Sequence, residues 1–348
     1  MRVLVATDAW RPQVNGVVST LERMTEAAAE FGATFEFVTS QGMWTAPMPT
    51  YPDIRIAIAS PGEIGRRIRE AAPDHIHIAT EGSIGWLARR HCIKHKQPFT
   101  TSFHTRYPEY VSARFGVPEQ LSYAALRHFH APADAVMAPT PTIVAELTQR
   151  GFKDVKLWTR GVDHALFRPR LKRTLELPRP IFLSVGRVAV EKNLEALLAL
   201  DLPGSTVIVG DGPERSSLQR RYSKAHFLGA LQGEALANIY ASADVFVFTS
   251  RTDTFGIVLI EALASGVPVA AFPAPGPIDV VSPGAGVLSE DLRAACLQAL
   301  TIPREAARQC SLRFTWRESA RQFLDNVEAS RGAPQASAPR KLELVGET

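Results

Sequence analysis

Cysteine is scarce in this chain: Cys92, Cys296 and Cys310 are the three present in 348 residues, with no pairing or metal spacing. That excludes a disulfide scaffold or a zinc ribbon and implies reduced thiols in a reducing compartment. Long apolar runs are missing too. The opening MRVLVATDAW is far too short for a signal-peptide core or a membrane span, so a cytoplasmic location is expected. Charge of one sign barely dominates, since 39 Lys and Arg against 35 Asp and Glu leave a net charge of +4. That balance suits phosphate-bearing ligands or anionic lipid and gives no reason to expect a nucleic-acid partner. Two short motifs are also absent. No G-x-G-x-x-G follows the first strand of either half, and Gly210-Asp211-Gly212 has no glycine three positions on, which argues against a nicotinamide or flavin site. Nor is there an Asp-x-Asp, the acidic pair that commonly holds a divalent metal against a diphosphate.

What is present is an ordinary globular composition, 45% apolar and 21% charged, in a chain long enough for two domains. Short β-branched runs alternate with helical patterns. Arg2–Thr7, a loop, a helix through LERMTEAAAEFGA stopped at Gly32, and a strand at 35–39 make one βαβ unit. HIHIAT, GWLARRHCIKH, FTTSFH and AVMAPT continue it, and a second series opens near Pro180 with IFLSV, a helix over 194–200 and TVIV. VFVFTS, GIVLIEALAS and VPVAAF complete that series. The expected architecture is α/β, two Rossmann-like, doubly wound parallel-sheet domains facing a cleft. Residues 1–165 form the first, with a returning helix over about 312–330; residues 166–311 form the second; the Ala-, Pro- and Ser-rich 331–348 reads as a disordered tail.

Four constellations carry chemistry. In TSRTDTFGIVLIEALASGVPV, Asp253 lies in the loop after a buried strand and Glu261 lies eight residues on, in the following helix. Phe255-Gly256 allows a tight turn that exposes backbone amides at the helix N-terminus. In GRVAVEKN, Arg187 offers a rigid fork and Lys192 a mobile point charge, a combination suited to a diphosphate. Gly16 and Val17 open the first helix, where amides face anions. His104 lies in SFHTRYPEY at the carboxyl end of a strand, among Tyr and Arg residues suited to sugar or phosphate contacts. Each has a plainer structural explanation: a helix-dipole carboxylate, a solvated helix start, turn chemistry, a core histidine.

Together the pieces PQVNGVV, SFHTRYPEY, RGVD at Arg160–Asp163, GRVAVEKN, GDGPE and TDTFGIVLIEALASGVPV resemble glycosyltransferase family 4, retaining enzymes of the GT-B fold, over roughly residues 1–325. The resemblance implies a hexosyltransferase with no cofactor and no metal, using GDP-mannose or a UDP-sugar as donor. Arg187 and Lys192 would bind the diphosphate and Glu261 the ribose. Asp253 with the amides of Thr254, Phe255 and Gly256 would meet the donor sugar. Gly16 and Val17 would approach the phosphates from the opposite domain, and His104 would contact the hexose near its C6 hydroxyl. The family's usual acid pair is Glu-x7-Glu, so Asp253 is a departure, shorter by one methylene.

Within the family, NGVV with SFHTRYPEY is most similar to bacterial mannosyl- and glucosyltransferases acting on lipids, which implies a lipid acceptor such as diacylglycerol or a glycolipid. The basic stretches IGRRIREA and WLARRHCIKHK are candidates for peripheral contact with anionic headgroups on the inner membrane face, or else ordinary solvated helix faces. A sugar-nucleotide 2-epimerase shares the two-domain plan, but the Asp253–Glu261 pattern with GRVAVEKN argues against it. A soluble or polysaccharide acceptor, or a silent sugar-nucleotide-binding scaffold, are the remaining alternatives.

Overall fold

The structure, a computed structural model, describes residues 1–13, 15–48, 51–170 and 174–332. Each half holds one parallel sheet. In the first, β1 (Arg2–Ala6) and β2 (Thr34–Val38) are followed by an antiparallel hairpin of β3 (Trp44–Met48) and β4 (Tyr51–Ile58). Then come β5 (His75–Ile78), β6 (Phe99–Ser102), β7 (Ala135–Ala138) and β8 (Val155–Leu157), giving the order β2-β1-β5-β6-β7-β8. In the second, β9 (Ile181–Val185), β10 (Ser205–Val209), β11 (His226–Phe227), β12 (Val245–Phe248), β13 (Val269–Ala271) and β14 (Gly286–Leu288) take the order β11-β10-β9-β12-β13-β14. Central strands β9 and β12 are largely Val, Ile, Leu and Phe, as a sheet covered on both faces favours, whereas the equally buried β5 and β6 carry His75, His77, Thr100, Thr101 and Ser102.

Both orders reverse direction at their first strand, between β1 and β5 and between β9 and β12. Ligands of such sheets bind outside the carboxyl ends of the strands at that switch point. The loops after β9 and after β12 therefore lie where a ligand is received, and they carry Arg187, Lys192 and Asp253.

Helices of the first half are α1 (Gly16–Ala28), α2 (Pro61–Ala71), α3 (Ser83–His95), α4 (Tyr107–Phe115), α5 (Glu119–His130) and α6 (Pro141–Gln149). Those of the second are α7 (Glu195–Leu198), α8 (Arg215–Arg221), α9 (Gly233–Ser242), α10 (Ile257–Ala264), α11 (Pro277–Val280), α12 (Leu292–Ala299) and α13 (Arg304–Ser311). The helix expected over 194–200 shrinks to α7. Asn193, with a φ of 50°, breaks the chain between a 3-10 turn at Val190–Lys192 and α7. Among the described residues no helix is long and apolar enough to cross a membrane.

The last helix, α14 (Trp316–Gly332), leaves the second half and packs on α1 of the first. Of the expected tail, Arg331 and Gly332 close α14, and 333–348 lie outside the described residues. The anchor is Trp158, fully buried, whose indole Nε1 donates to the carbonyl of Ser319 at 3.1 Å and to its Oγ at 3.2 Å. Phe323 of α14 packs 5.0 Å from the Trp158 ring and 4.9 Å from that of His77. Gly161 is what lets the chain pass so close, since a Cβ there would sit 2.3 Å from the amide nitrogen of Trp316. Gly161→Ala is therefore expected to cost about 1–3 kcal/mol by overpacking. A lowered urea midpoint with faster amide exchange confined to α14 is the outcome to look for; unchanged exchange there would remove Gly161 from this role.

Candidate active site

The turn after β9 is shaped by its neighbour. Val188 N donates to Asp211 O at 2.9 Å and Glu214 N to Val188 O at 3.0 Å. A Cβ on Gly210 would meet Gly186 O at 1.8 Å, and one on Gly212 would meet Val188 O at 2.4 Å. The solitary G-x-G of the sequence thus makes room for the 186–188 backbone. Arg187 is half-buried at this turn.

The 190–193 turn is then pinned to the loop after β12. Thr249 Oγ1 donates to Lys192 O at 2.6 Å and Ser250 Oγ to Glu191 O at 3.2 Å. This clamp sets Lys192 Nζ against both carboxylate oxygens of Asp253, at 2.6 and 2.9 Å. Burial alone disfavours the Lys192 ammonium, but the attraction and hydrogen bonds of Asp253 raise its pKa above the ordinary lysine value. Tyr110 of α4 reaches the same region from the other domain. Burial first, and the Asp253 and Glu191 charges next, push its phenol up to about 12, against the pull of Lys192.

The loop then enters α10. Gly256 takes a φ of 79°, and a Cβ there would crowd Leu259 Cδ1 at 2.9 Å. Phe255 is buried, with its ring edge-on to Phe314 at 5.8 Å, so its side chain serves the core and only its backbone faces outward chemistry. Glu261 lies deeper on α10 and accepts from Tyr240 Oη at 2.9 Å. Burial raises its carboxyl to about 7, with the Tyr240 bond pulling the other way.

From the first domain, Asn15 caps α1, its Oδ1 accepting from Val17 N at 3.0 Å and Val18 N at 3.1 Å. The Val17 amide is thereby satisfied within the cap. Gly16 does face the second domain, since a Cβ on it would lie 3.5 Å from Ile257 Cδ1 at the start of α10. His104 sits across from the loop after β12, and Thr254 Oγ1 donates to its carbonyl at 2.7 Å. The hydroxyl of Thr254 is thus spent on joining the domains. Thr142 reinforces the seam, its N and Oγ1 donating to Asp279 Oδ1 at 3.1 and 2.9 Å.

Several residues take roles the sequence did not give them. Arg106, which looked suited to sugar or phosphate, is committed to Glu109 at 2.6 Å and Glu146 at 2.9 Å, with Tyr123 Oη on Glu109. It holds the loop together. Asp8, at the carboxyl end of β1, accepts from the amides of Ile84 and Gly85 at 2.9 and 3.2 Å and so fixes the start of α3 at the cleft edge; burial raises its carboxyl pKa against those bonds. The signal for Asp8 was its place at the end of the first strand. Arg160 of RGVD reaches the His104 ring, its Nη2 3.1 Å from Nδ1.

The structure therefore unites Lys192 with Asp253, His104 with Thr254, and Gly16 with the head of α10, and leaves Glu261 one helical layer below. Two Rossmann-like domains with cations, carboxylates and a histidine at facing switch points define a cleft enzyme acting on a phosphate-bearing ligand. Comparison with known proteins gives the family. Residues 14–166 match Glycosyltransferase Family 4 and residues 168–302 match Glycosyl transferases group 1. A GDP-mannose-dependent alpha-mannosyltransferase of Mycolicibacterium smegmatis is 33% identical, over 95% of this chain and 98% of that one. An alpha-monoglucosyldiacylglycerol synthase of Streptococcus pneumoniae is 27% identical over 86% of this chain and 78% of that one. In fold, the chain is similar to Anabaena HepE in complex with UDP and glucose, with a TM-score of 0.71 at 17% identity, covering 94% of this chain and 100% of that one. The chain belongs to glycosyltransferase family 4, and it is a glycosyltransferase of GT-B fold.

The raised Glu261 carboxyl has a measurable consequence in the unliganded protein. From an unfolded value of 4.5 to a folded value of about 7, the folded state holds a proton that the unfolded state has lost. Its contribution is complete below 4.5 and disappears as pH rises through about 7, on the order of 3 kcal/mol in all. Urea midpoints of the parent protein, measured relative to Glu261→Gln, should fall between pH 4.5 and 7 and level off above. A flat difference would show that the carboxyl titrates normally.

Proposed function

We propose that this chain is a retaining, metal-independent hexosyltransferase that passes a hexose from a nucleotide sugar to a hydroxyl of a membrane lipid. The carrying observation is Lys192 held against Asp253 at 2.6 Å in the switch-point loops of the second domain, in the same loop as Arg187. The ion pair keeps a cation and a carboxylate poised where the diphosphate and the donor sugar would lie. Lys192 and Arg187 would supply the positive charge that the departing diphosphate requires. Glu261, in its ionised form, would accept the ribose hydroxyls. Gly16 would bring backbone to the phosphates without a side chain in between.

In this reading the bond from the anomeric carbon to the phosphate oxygen breaks as the acceptor oxygen attacks from the same face. The acceptor proton goes to the leaving β-phosphate, so configuration is retained without an enzymic nucleophile. The mannosyltransferase relative favours GDP-mannose as donor. The pneumococcal relative favours glucose as the hexose and a diacylglycerol acceptor as the second reading.

For the membrane contact, the two basic helices differ. Arg66 and Arg67 of α2 are paired with Glu70 and Glu63 of the same helix at 2.7 and 2.9 Å, which fits a solvated face. Helix α3 contains no acid at all. Its outer side exposes Trp86, Arg90, Ile93 and Lys94 along a groove of about 620 Å³. Arg89 lies 5.2 Å over the Trp86 ring. Because α3 starts at the cleft edge beside Asp8, a bilayer on this face would present its headgroups near the site.

A screen of GDP-mannose, UDP-glucose and UDP-glucuronate against total membrane lipid, with mass analysis of the product, tests the function directly. One donor should label one lipid class, with the rate unchanged by EDTA; donor conversion without any acceptor would instead support the epimerase. Lys192→Ala should fold and lose about a hundredfold or more in transfer, and near-normal turnover would refute its assignment. Binding to phosphatidylglycerol vesicles should be salt-sensitive, weakened several-fold by Arg90→Glu at about 1 kcal/mol per cation and untouched by Arg66→Glu. Equal binding to neutral vesicles would count against the α3 face.

A further inference from the structure

Arg160 is a buried cation without a carboxylate among its hydrogen-bond partners in the described residues. It is 3% exposed, and its guanidinium donates to the carbonyls of Trp158 and Thr159 and lies 4.4 Å over the Trp158 ring. Its remaining terminal nitrogen, Nη2, is 3.1 Å from Nδ1 of His104. A guanidinium can only donate, so Nδ1 of His104 has to accept, and the proton of the neutral ring has to sit on Nε2. That Nε2 is buried and has no hydrogen-bond partner among the described residues. A buried N–H without an acceptor is costly, and a ligand oxygen in the cleft would satisfy it.

Neither the ring nor the cation is free to rearrange. His104's own carbonyl is held by Thr254 across the cleft, and the Trp158 ring stands edge-on 5.6 Å from the imidazole. Trp158 is in turn fixed by Ser319, and Thr159 N donates to Gln322 Oε1 at 3.0 Å, both on α14. The returning helix thus braces the histidine through two intermediates.

We infer that Arg160 is a positioning residue of the site: by donating to Nδ1 it fixes His104 as the neutral Nε2–H tautomer and aims that N–H at an oxygen of the bound hexose. The inference rests on the transferase reading for the identity of the ligand, and on the geometry alone for the tautomer. The charged and titratable groups that face His104 are Arg160 from the segment after β8 and His77 from β5. His77 is itself buried between Thr100 Oγ1 at 2.8 Å and Ser102 Oγ at 2.7 Å. Burial first, and then the Arg160 charge, hold the His104 imidazole well below its usual value. Neutrality matters to the chemistry. A sugar ring gains positive character as its phosphate departs, and an imidazolium beside it would oppose that change.

Nitrogen-15 NMR of histidine-labelled protein, without ligand, reads the tautomer directly. His104 should show a bare Nδ1 and a protonated Nε2, unchanged from about pH 8 to about pH 5.5, a range that spans the ordinary imidazole value. In Arg160→Met the His104 pKa should rise above the parent's, while burial still keeps it below the ordinary imidazole value. The donor's kcat/KM should fall about ten- to a hundredfold, by analogy with losing the orienting partner of a metal-ligating histidine. An acid limb absent from the parent should appear, and Arg160→Lys should restore part of the rate. A charged His104 or an Nδ1–H tautomer in the parent protein would overturn the inference, as would an Arg160→Met variant with the parent's tautomer and pH profile. If Arg160→Met fails to fold, the spectrum of the parent protein still decides. Failure of every donor in the transfer assay, with the predicted spectrum intact, would sink the transferase reading and leave the tautomer assignment standing.

Discussion

The indole of Trp158 is the fixed point from which the cleft is built. It is fully buried, so its N–H must find a partner, and it finds two on Ser319 of the helix that crosses back from the second domain. An unmade bond there would leave a buried donor unsatisfied, at a cost of about 1–3 kcal/mol. The same ring supports the Arg160 cation on its face and the His104 imidazole at its edge. Closure of the chain onto its own first domain and the setting of a cleft residue are therefore one packing problem. Changing α14 changes the site, though no atom of α14 need touch a ligand.

The two sides of the cleft are organised by opposite means. On the second domain, charge is paired in place: Lys192 and Asp253 neutralise one another, and the backbone clamp from Thr249 and Ser250 holds them. A pair so arranged holds both charges satisfied in the unliganded cleft; in the proposed transfer its two partners would divide between phosphate and sugar. On the first domain, charge is isolated: among the described residues Arg160 bonds carbonyls and an imidazole and lies over a ring, and burial brings its pKa down to about 9. It stays cationic at neutral pH but has no counter-charge to surrender. In that proposal one device exchanges partners, whereas the other cannot.

Much of this was legible in the sequence. The two parallel sheets follow from β-branched runs alternating with helical periods, and the cleft follows from their repetition. Arg187, Lys192 and Asp253 were singled out because strand ends are where such sheets place their chemistry, and the structure puts them in the loops after β9 and β12. What the sequence withheld were competing uses for the same groups. Val17 offers an amide at a helix start, but Asn15 takes it as a cap. Arg106 stands in a polar loop beside His104, yet two glutamates, one of them 40 residues away, claim it. Gly210 and Gly212 imitate half of a phosphate motif while clearing space for backbone. Short-range pattern shows which groups are available; only tertiary contact shows which are already engaged. The hairpin of β3 and β4 was missed for a related reason, because Pro47 and Pro52 interrupt the strand signal in both arms.

The substitution of aspartate for the usual first glutamate can be reconsidered in this light. A carboxylate one methylene shorter reaches less far toward a donor sugar, yet at Asp253 both oxygens meet a lysine that a neighbouring turn delivers. The ion pair needs the carboxylate to stay near its own backbone, and the clamp on the 190–193 turn brings the cation to it. Length lost on one side is matched by position gained on the other. The donor-side geometry is set by the 190–193 and 249–253 loops acting as a unit, and the identity of the acid at 253 is one half of a matched pair with the placement of Lys192.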